Sequence, residues 1–205
     1  MGFYSRYIFP SVMHKVMSRE QISRIRAATL ANVSGQVCEI GFGTGLNLPH
    51  YPPSVERLTV IDPNPGMDRR ALRQLERSTI PVEKLQLNGE SLPFENGSFD
   101  FVVSTWTLCS IPNVASALNE VRRVLKPGGR FVFVEHGLAD DPKVQRWQHR
   151  LNPLQKFFGG GCHLNRDIRA LVEGQGFRIA HLDTFYMERE PKFSGYQYKG
   201  VATVI

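Results

Sequence analysis

The spacing of apolar residues changes character about one sixth of the way along the chain. Before residue 34, Val12, Met13 and Val16 share one helical face and a second 3.6-period run extends from about Ser18 to Ala31, so residues 3–33 are expected to be helical. Ser18 followed by Gln21 has the spacing of a capping box at the start of the second run. From Gln36 onward, short apolar runs ending in glycine or an acid alternate with helical stretches. QVCEI, RLTVID (57–62), VEKLQL (82–87), FDFVVST (99–105) and RFVFVEH (130–136) read as strands. The fourth is apolar enough to be buried on both faces. GMDRRALRQLER (66–77), VASALNEVRRVLK (114–126) and NRDIRALVEGQGF (165–177) read as helices. Leu118, Val121 and Leu125 share a face of the second, and PGG at 127–129 should end it. RIAHLDTF (178–185) and QYKGVATVI (197–205) read as two late strands.

Strands alternating with helices imply right-handed crossovers and an α/β fold: a doubly wound, Rossmann-like, mainly parallel sheet of about seven strands with helices on both faces. Residues 1–33 are expected to form an N-terminal helical cap on a single domain spanning 34–205. In such sheets the ligand sits at the carboxyl ends of the strands. The glycine-rich stretch after the first strand falls there.

Composition narrows the function classes. A chain of 205 residues suits one domain with a full core. The net charge is +6, but the basic residues are scattered, and pairs such as Arg69-Arg70 and Arg122-Arg123 read as solvated helix faces. With no nucleic-acid-reading motif present, nucleic acid is not an expected partner. The three cysteines, Cys38, Cys109 and Cys162, form no CxxC pair, so neither a disulfide framework nor a metal site is expected. No run approaches the roughly 20 apolar residues of a membrane span, and no signal peptide is evident. A cytoplasmic protein is the expectation, with no obligate protein partner evident. Phe3, Tyr4, Tyr7 and Phe9 are expected to cover the ligand pocket or, with Arg6 and Lys15, to make peripheral membrane contact through the N-terminal helix.

The stretch EIGFGTGLN carries the chemistry. A nucleotide P-loop requires a lysine after its last glycine, and none follows Gly45. A dinucleotide fingerprint requires GxGxxG, but Gly41, Gly43 and Gly45 run G-x-G-x-G and Leu46 holds the position of the missing glycine. Glu39 would repel a pyrophosphate and suits a ligand bearing a positive charge.

E-x-G-x-G-x-G after a first strand resembles motif I of the class I S-adenosylmethionine-dependent methyltransferases. The resemblance continues through Asp62 in VIDPNP, the adenine-side stretch NGESLPF (88–94) and LNEVRRVLKPGGRFVFVE, covering roughly residues 35–136. It implies S-adenosyl-L-methionine as cofactor. It implies that Glu39 orders the amino-acid end, that Gly41, Gly43 and Gly45 approach the ligand closely, and that Asn47 and Thr105 also bind the cofactor. Asp62 and Pro63 would lie at the ribose, and Asn88, Gly89 and Glu90 at the adenine. At Asn88 the quinone C-methyltransferases and their relatives carry an aspartate, so the adenine contact there would be made by an amide. More narrowly, IDPNP, TLCSI, VLKPGG, VEH and GCHLNR resemble the alkyl thiol methyltransferases of animals and their bacterial relatives. No counterpart of the animal enzymes' membrane-associated N-terminal segment is expected. The implied activity is methyl transfer to a small or lipophilic acceptor, a thiol being one choice. A phospholipid amine or a quinone ring is the alternative acceptor, and a non-catalytic S-adenosylmethionine-binding module is the alternative class.

Acceptor-side residues should follow the fourth and fifth strands. Thr105, Trp106 and Cys109 lie after the fourth, though Cys109 equally reads as a small core residue. His136, at the end of the fifth, is the candidate general base, or else a structural hydrogen-bonder. In FFGGGCHLNRD (157–167), Cys162, His163 and Arg166 follow three glycines, and His163 and Arg166 are candidate pocket residues. The alternative is a simple turn, with Asn165 capping the following helix. Cys162 and His163, being adjacent, are a poor chelating pair.

Overall fold

The computed structural model describes residues 9–64 and 68–205. The expectations for Phe3, Tyr4, Arg6, Tyr7 and the side chain of Phe9 lie outside the described residues. Helices α1 (Phe9–Met17) and α2 (Glu20–Leu30) precede strands β1 (Gly35–Ile40) and β2 (Val55–Ile61). Helix α3 (Asp68–Leu75), strands β3 (Val82–Leu85) and β4 (Phe99–Thr105), helix α4 (Val114–Val124) and strand β5 (Leu125–His136) follow. Helices α5 (Pro142–Phe158) and α6 (Ile168–Glu173), strand β6 (Phe177–Tyr186), helix α7 (Lys192–Gly195) and strand β7 (Tyr196–Val204) complete the chain.

One sheet of seven strands has the order β3-β2-β1-β4-β5-β7-β6. Strands β1 to β5 pair in parallel, with Cys38 opposite Val102 and Val103 opposite Val132; β7 inserts antiparallel between β5 and β6. The expected doubly wound, mainly parallel sheet is therefore present. The two-residue alternation of strands explains its two cores. Cys38, Ile40, Val102, Phe131 and Phe133 point to the face covered by Leu118 and Val121 of α4 and Ile168 and Val172 of α6. Val37, Leu58, Val60, Phe101, Val103 and Val132 point to the other, against Leu30 of α2 and Ala71 of α3. At roughly 1.5–3 kcal/mol for each fully buried large apolar side chain, these two layers fix which strand ends meet. The meeting ends of β1, β2, β4 and β5 carry the site.

Several local expectations are corrected. Ser18 does not cap α2: Arg19 holds the N-cap position without a side-chain bond, and the Ser18 hydroxyl donates back to the Lys15 carbonyl of α1. The helix read over 114–126 ends at Val124, because Leu125 already pairs with Phe99 and the Pro-Gly-Gly turn sits inside β5 at a register break. The helix read over 165–177 shrinks to α6, capped by Asp167, whose carboxylate accepts from the Ala170 amide. Asn165 instead contacts the His149 ring. Helix α5 was not expected. Its start carries a clear signal, Asp141 capping with Pro142 in the first turn. Yet Val144 and Gln148 are its buried residues, so most of its apolar spacing faces outward.

Candidate active site

The carboxyl ends of β1, β2, β4 and β5 open onto a cavity of about 490 Å³, within the range of roughly 300–1,000 Å³ usual for small-molecule sites. The glycine loop, the end of β2, the 87–90 loop and the turn after β4 form one part of its wall. Met13, His14, Val16 and Met17 of α1 close a second side, and the Gly159–Cys162 turn after α5 a third. The His14 ring meets the Thr44 hydroxyl at 2.9 Å, which ties α1 to the glycine loop.

The glycine loop needs its glycines for two different reasons. At Gly41 (φ +83°) an added Cβ would lie 2.0 Å from the Thr107 hydroxyl oxygen, so the Thr107 side chain of the turn after β4 packs directly on the loop's backbone. At Gly43 (φ +57°) nothing lies within 4 Å of that position, which leaves an open cradle in the cavity wall. The Gly43 amide donates to the Asp62 carboxylate at 2.7 Å, and the Asn64 amide donates to its other oxygen at 2.8 Å. Asp62 thus braces two loops while lining the cavity, together with Pro63, Asn88, Gly89, Glu90 and Thr105. The Asn88 side-chain oxygen accepts from the Glu90 amide, and the Glu90 carboxylate accepts from the Asn113 amide at 3.0 Å.

Glu39, Gly45 and Asn47 are not among the cavity-lining residues; they form the layer beneath. Glu39 is fully enclosed and accepts from Asn47 at 2.9 Å and from the Tyr51 hydroxyl at 2.8 Å. Burial pushes its carboxyl up to about 7, against the opposing pull of those two bonds and of Arg26. Arg26 is the link from this layer to the cavity. Its Nη1 donates to the Asn47 side-chain oxygen at 2.5 Å and to the Thr105 hydroxyl at 3.0 Å. Its guanidinium lies 4.7 Å from the centre of the Trp106 ring, and burial lowers its pKa to about 10. Trp106 holds a positive φ of 52°, uncommon for a bulky residue, and its indole donates to Gln197 at 2.8 Å. Among the described residues, Arg26 Nε is a buried donor with no partner, on a side chain that lines the cavity. An unpaired buried donor and an open glycine cradle on residues lining one cavity fit a ligand carboxylate.

The turn after β4, a further part of the cavity wall, is organised by Glu135. Its buried carboxylate accepts from the Ser104 hydroxyl at 2.8 Å and from the amides of Thr107 and Leu108, each at 3.0 Å. Arg166 donates to the carbonyls of Leu108 and Ile111 from the other side of the same turn. Cys109, held in this turn, meets Cys162 with their sulfurs 3.3 Å apart, and Cys162 Sγ lies 3.4 Å from His136 Nε2. Contact with the Cys109 thiol lowers the Cys162 pKa, which burial opposes and His136 reinforces. Burial, the largest single influence, lowers the His136 pKa, but Cys162 and Glu135 together raise it, and the net direction is up.

The structure therefore brings Cys109 and His136 together on the cavity wall and adds Cys162 to them. His163 and Arg166 are not in that wall: the His163 amide donates to the Cys109 carbonyl at 2.9 Å, and Arg166 is committed to the turn. Arg26, Tyr51 and Glu135 were missed in the sequence. For Arg26 the signal was present, because it shares a helical face with Ile22, Thr29 and Leu30, an apolar stripe where an arginine needs a reason.

Residues 38–133 match the family described as "Methyltransferase domain". The chain is 35% identical over 179 residues to the human protein "Thiol S-methyltransferase TMT1B", covering 84% of this chain and 70% of that one. It is 36% identical over 120 residues to "Phosphatidylethanolamine N-methyltransferase" of Cereibacter sphaeroides, covering 56% of this chain and 59% of that one. Among solved structures, the putative methyltransferase in complex with the Haloferax volcanii Trm112 methyltransferase activator superposes with a TM-score of 0.74 at 17% identity. That superposition covers 98% of this chain and 96% of the other, and it supports the fold.

Proposed function

The chain belongs to the S-adenosylmethionine-dependent methyltransferase family, and we propose that it transfers the methyl group to the sulfur of a small or lipophilic thiol. The observation that carries this reading is the Cys109–His136–Cys162 cluster in the wall of the cavity that the glycine loop also lines. The relatives named as thiol S-methyltransferases support it.

S-adenosylmethionine supplies a sulfonium methyl that is already activated toward displacement. The protein's work is alignment and proton management, and alignment is worth about 7–11 kcal/mol in favourable cases. In this reading Arg26 Nε and the open backbone at Gly43 hold the cofactor's amino-acid end, above the Glu39–Asn47–Thr105 layer. Asp62, with Pro63, accepts from the ribose hydroxyls, and Asn88, Gly89 and Glu90 frame the adenine. His136 takes the proton of the acceptor thiol, whose ordinary pKa of about 8.5 asks for little help. Cys109 and the Cys162 turn shape the acceptor end, and Arg166 and His163 position that end from behind. Helices α1 and α2 act as a cap over the 34–205 domain, α1 contributing Met13, Val16 and Met17 to the apolar part of the cavity.

A lipophilic acceptor is favoured by the surroundings of the mouth. Trp147, Leu154, Phe157 and Phe158 are exposed on α5, which leads into the Gly159–Cys162 turn, with Arg146, Arg150 and Lys156 along the same helix. Such a face suits peripheral contact with an anionic lipid surface in the cytoplasm, alongside the N-terminal helix. No helix among the described residues is long and apolar enough to cross a membrane. The same face favours the second reading, methylation of a phospholipid amine or a quinone ring.

Purified chain, without added protein partner, supplied with methyl-labelled S-adenosylmethionine and an equimolar panel of alkyl thiols, quinone precursors and phosphatidylethanolamine vesicles, separates the readings. Label in thioethers is the expected outcome. Label in the phospholipid or quinone instead sinks the thiol reading, and cofactor binding without any labelled product leaves a binding module.

A further inference from the structure

Three soft donor residues, scattered over 53 positions of the sequence, meet at one point of the cavity wall. The ligand atoms of Cys109, His136 and Cys162 all lie within 4.8 Å of one another. Cys162 Sγ stands 3.3 Å from Cys109 Sγ and 3.4 Å from His136 Nε2. Tetrahedral zinc, with Zn–S near 2.3 Å and Zn–N of about 2.0–2.1 Å, sets its ligand atoms about 3.8 Å apart for two sulfurs and about 3.5 Å for sulfur and nitrogen. Two edges of the required triangle are thus within roughly half an ångström of their target before any adjustment. The adjustment falls on Cys162, which follows the positive-φ glycines Gly160 and Gly161, while Cys109 is held by the turn that Glu135 and Arg166 grip.

We propose that Cys109, His136 and Cys162 bind one zinc-class divalent ion, and that the acceptor thiol completes its coordination as a thiolate. The second half rests on the thiol reading of the preceding subsection. Two thiolates and an imidazole are the donor set of a soft or borderline ion, not of magnesium or calcium. Three protein ligands with a fourth position open to a cavity is the pattern of a catalytic zinc site, not of a closed structural one. All three residues line the cavity in which an acceptor must lie. Two cysteine thiolates also neutralise the ion's charge, as a site this buried requires. The supporting shell is present, since the Glu135 carboxylate accepts from the amides of Leu108 and Thr107 on the turn that carries Cys109.

The balance of the step is simple. The acceptor's S–H bond breaks, its sulfur–metal bond forms and the proton goes to solvent. The thiolate sulfur then forms a bond to the methyl carbon as the sulfonium C–S bond breaks, and that electron pair stays on the sulfur of S-adenosylhomocysteine. Nothing is oxidised or reduced. The neutral thioether is the weaker ligand and yields its place to the next thiol. In this form of the enzyme His136 is a ligand, and thiol activation passes from its ring to the ion.

The test uses the full chain, purified under a phosphine reductant, with metal content measured by mass spectrometry and cobalt(II) as an optical probe. One zinc per chain is expected. Cys162→Ser and Cys109→Ser should each bind more than about tenfold more weakly, since even second-shell losses reach that size. Cys38→Ser, outside the cluster, should bind as the wild type does. An alkyl thiol should shift the cobalt absorption bands, and the matching alcohol should not. Reduced wild type that holds no ion while still methylating thiols overturns the metal site and leaves the thiol reading intact. An ion whose bands ignore the thiol overturns the acceptor's place on it. Bands that shift with a thiol that is never methylated support the site and overturn the thiol reading.

Discussion

Arg26→Met removes the cation that joins the buried Glu39 layer to the cavity. In the wild type, Glu39 has no solvent contact to fall back on, and Arg26 stabilises its charge through Asn47 and through space. Removing one partner of a buried charged pair costs about 3–5 kcal/mol. In a protein of this size each kcal/mol lowers Tm by about 2–4 °C, so a drop on the order of 6–20 °C is expected. The loss should depend on pH. The folded carboxyl is raised from its ordinary value of 4.5 to about 7, so its contribution to stability is complete below about 4.5 and is lost as pH rises through about 7. That gap corresponds to roughly 3 kcal/mol. Arg26 is among the groups that hold the value down, so its removal raises the carboxyl further and extends the loss above pH 7. Urea unfolding at about pH 6 and about pH 8.5 reads both effects: the Arg26→Met deficit should be larger at the higher pH, and Glu39→Gln in the same chain should recover part of it. A deficit under about 1 kcal/mol at the higher pH, or equal deficits at both, would refute the coupling.

Other consequences are separable. Gly43→Ala should cost about 1–2 kcal/mol for the left-handed backbone, and its methyl, meeting no neighbour within 4 Å, should weaken S-adenosylmethionine binding measured by calorimetry. Gly41→Ala should instead unfold at visibly lower temperature, because its methyl collides with Thr107. Glu135→Ala strands the Thr107 and Leu108 amides and should cost about 2–5 kcal/mol in chemical unfolding, whereas Glu135→Gln keeps an acceptor and should cost less. Phe157→Ser with Phe158→Ser should reduce sedimentation with anionic vesicles while leaving turnover of a short, soluble thiol unchanged; equal sedimentation of both proteins removes α5 from the membrane-facing surface.

The alternation of strands and helices, and the glycine loop at the end of β1, were legible because both are local. Buried strands read as apolar runs, and the Leu46 position distinguishes the loop from a dinucleotide fingerprint without any tertiary information. Helix α5 escaped because its exposed Trp147, Leu154 and Phe157 and its internal Pro153 blur the amphipathic pattern. The cofactor-side layer was half legible: Glu39 was marked by its place before the glycines, but its route to the cavity runs through Arg26, which only the packing of α2 brings near. The acceptor end was least legible. Cys109 and His136 were visible as candidates and Cys162 was not, and the convergence of the three depends on the turn after β4 and the turn after α5 meeting across the cavity.

A crystal structure with S-adenosylhomocysteine tests the central claim most directly. The account predicts the amino-acid carboxylate at Arg26 Nε and the Gly43 cradle, the ribose at Asp62, and the sulfur facing Cys109, His136 and Cys162 across the open part of the cavity. A sulfur directed away from that cluster, or a ligand seated outside this cavity, would contradict it.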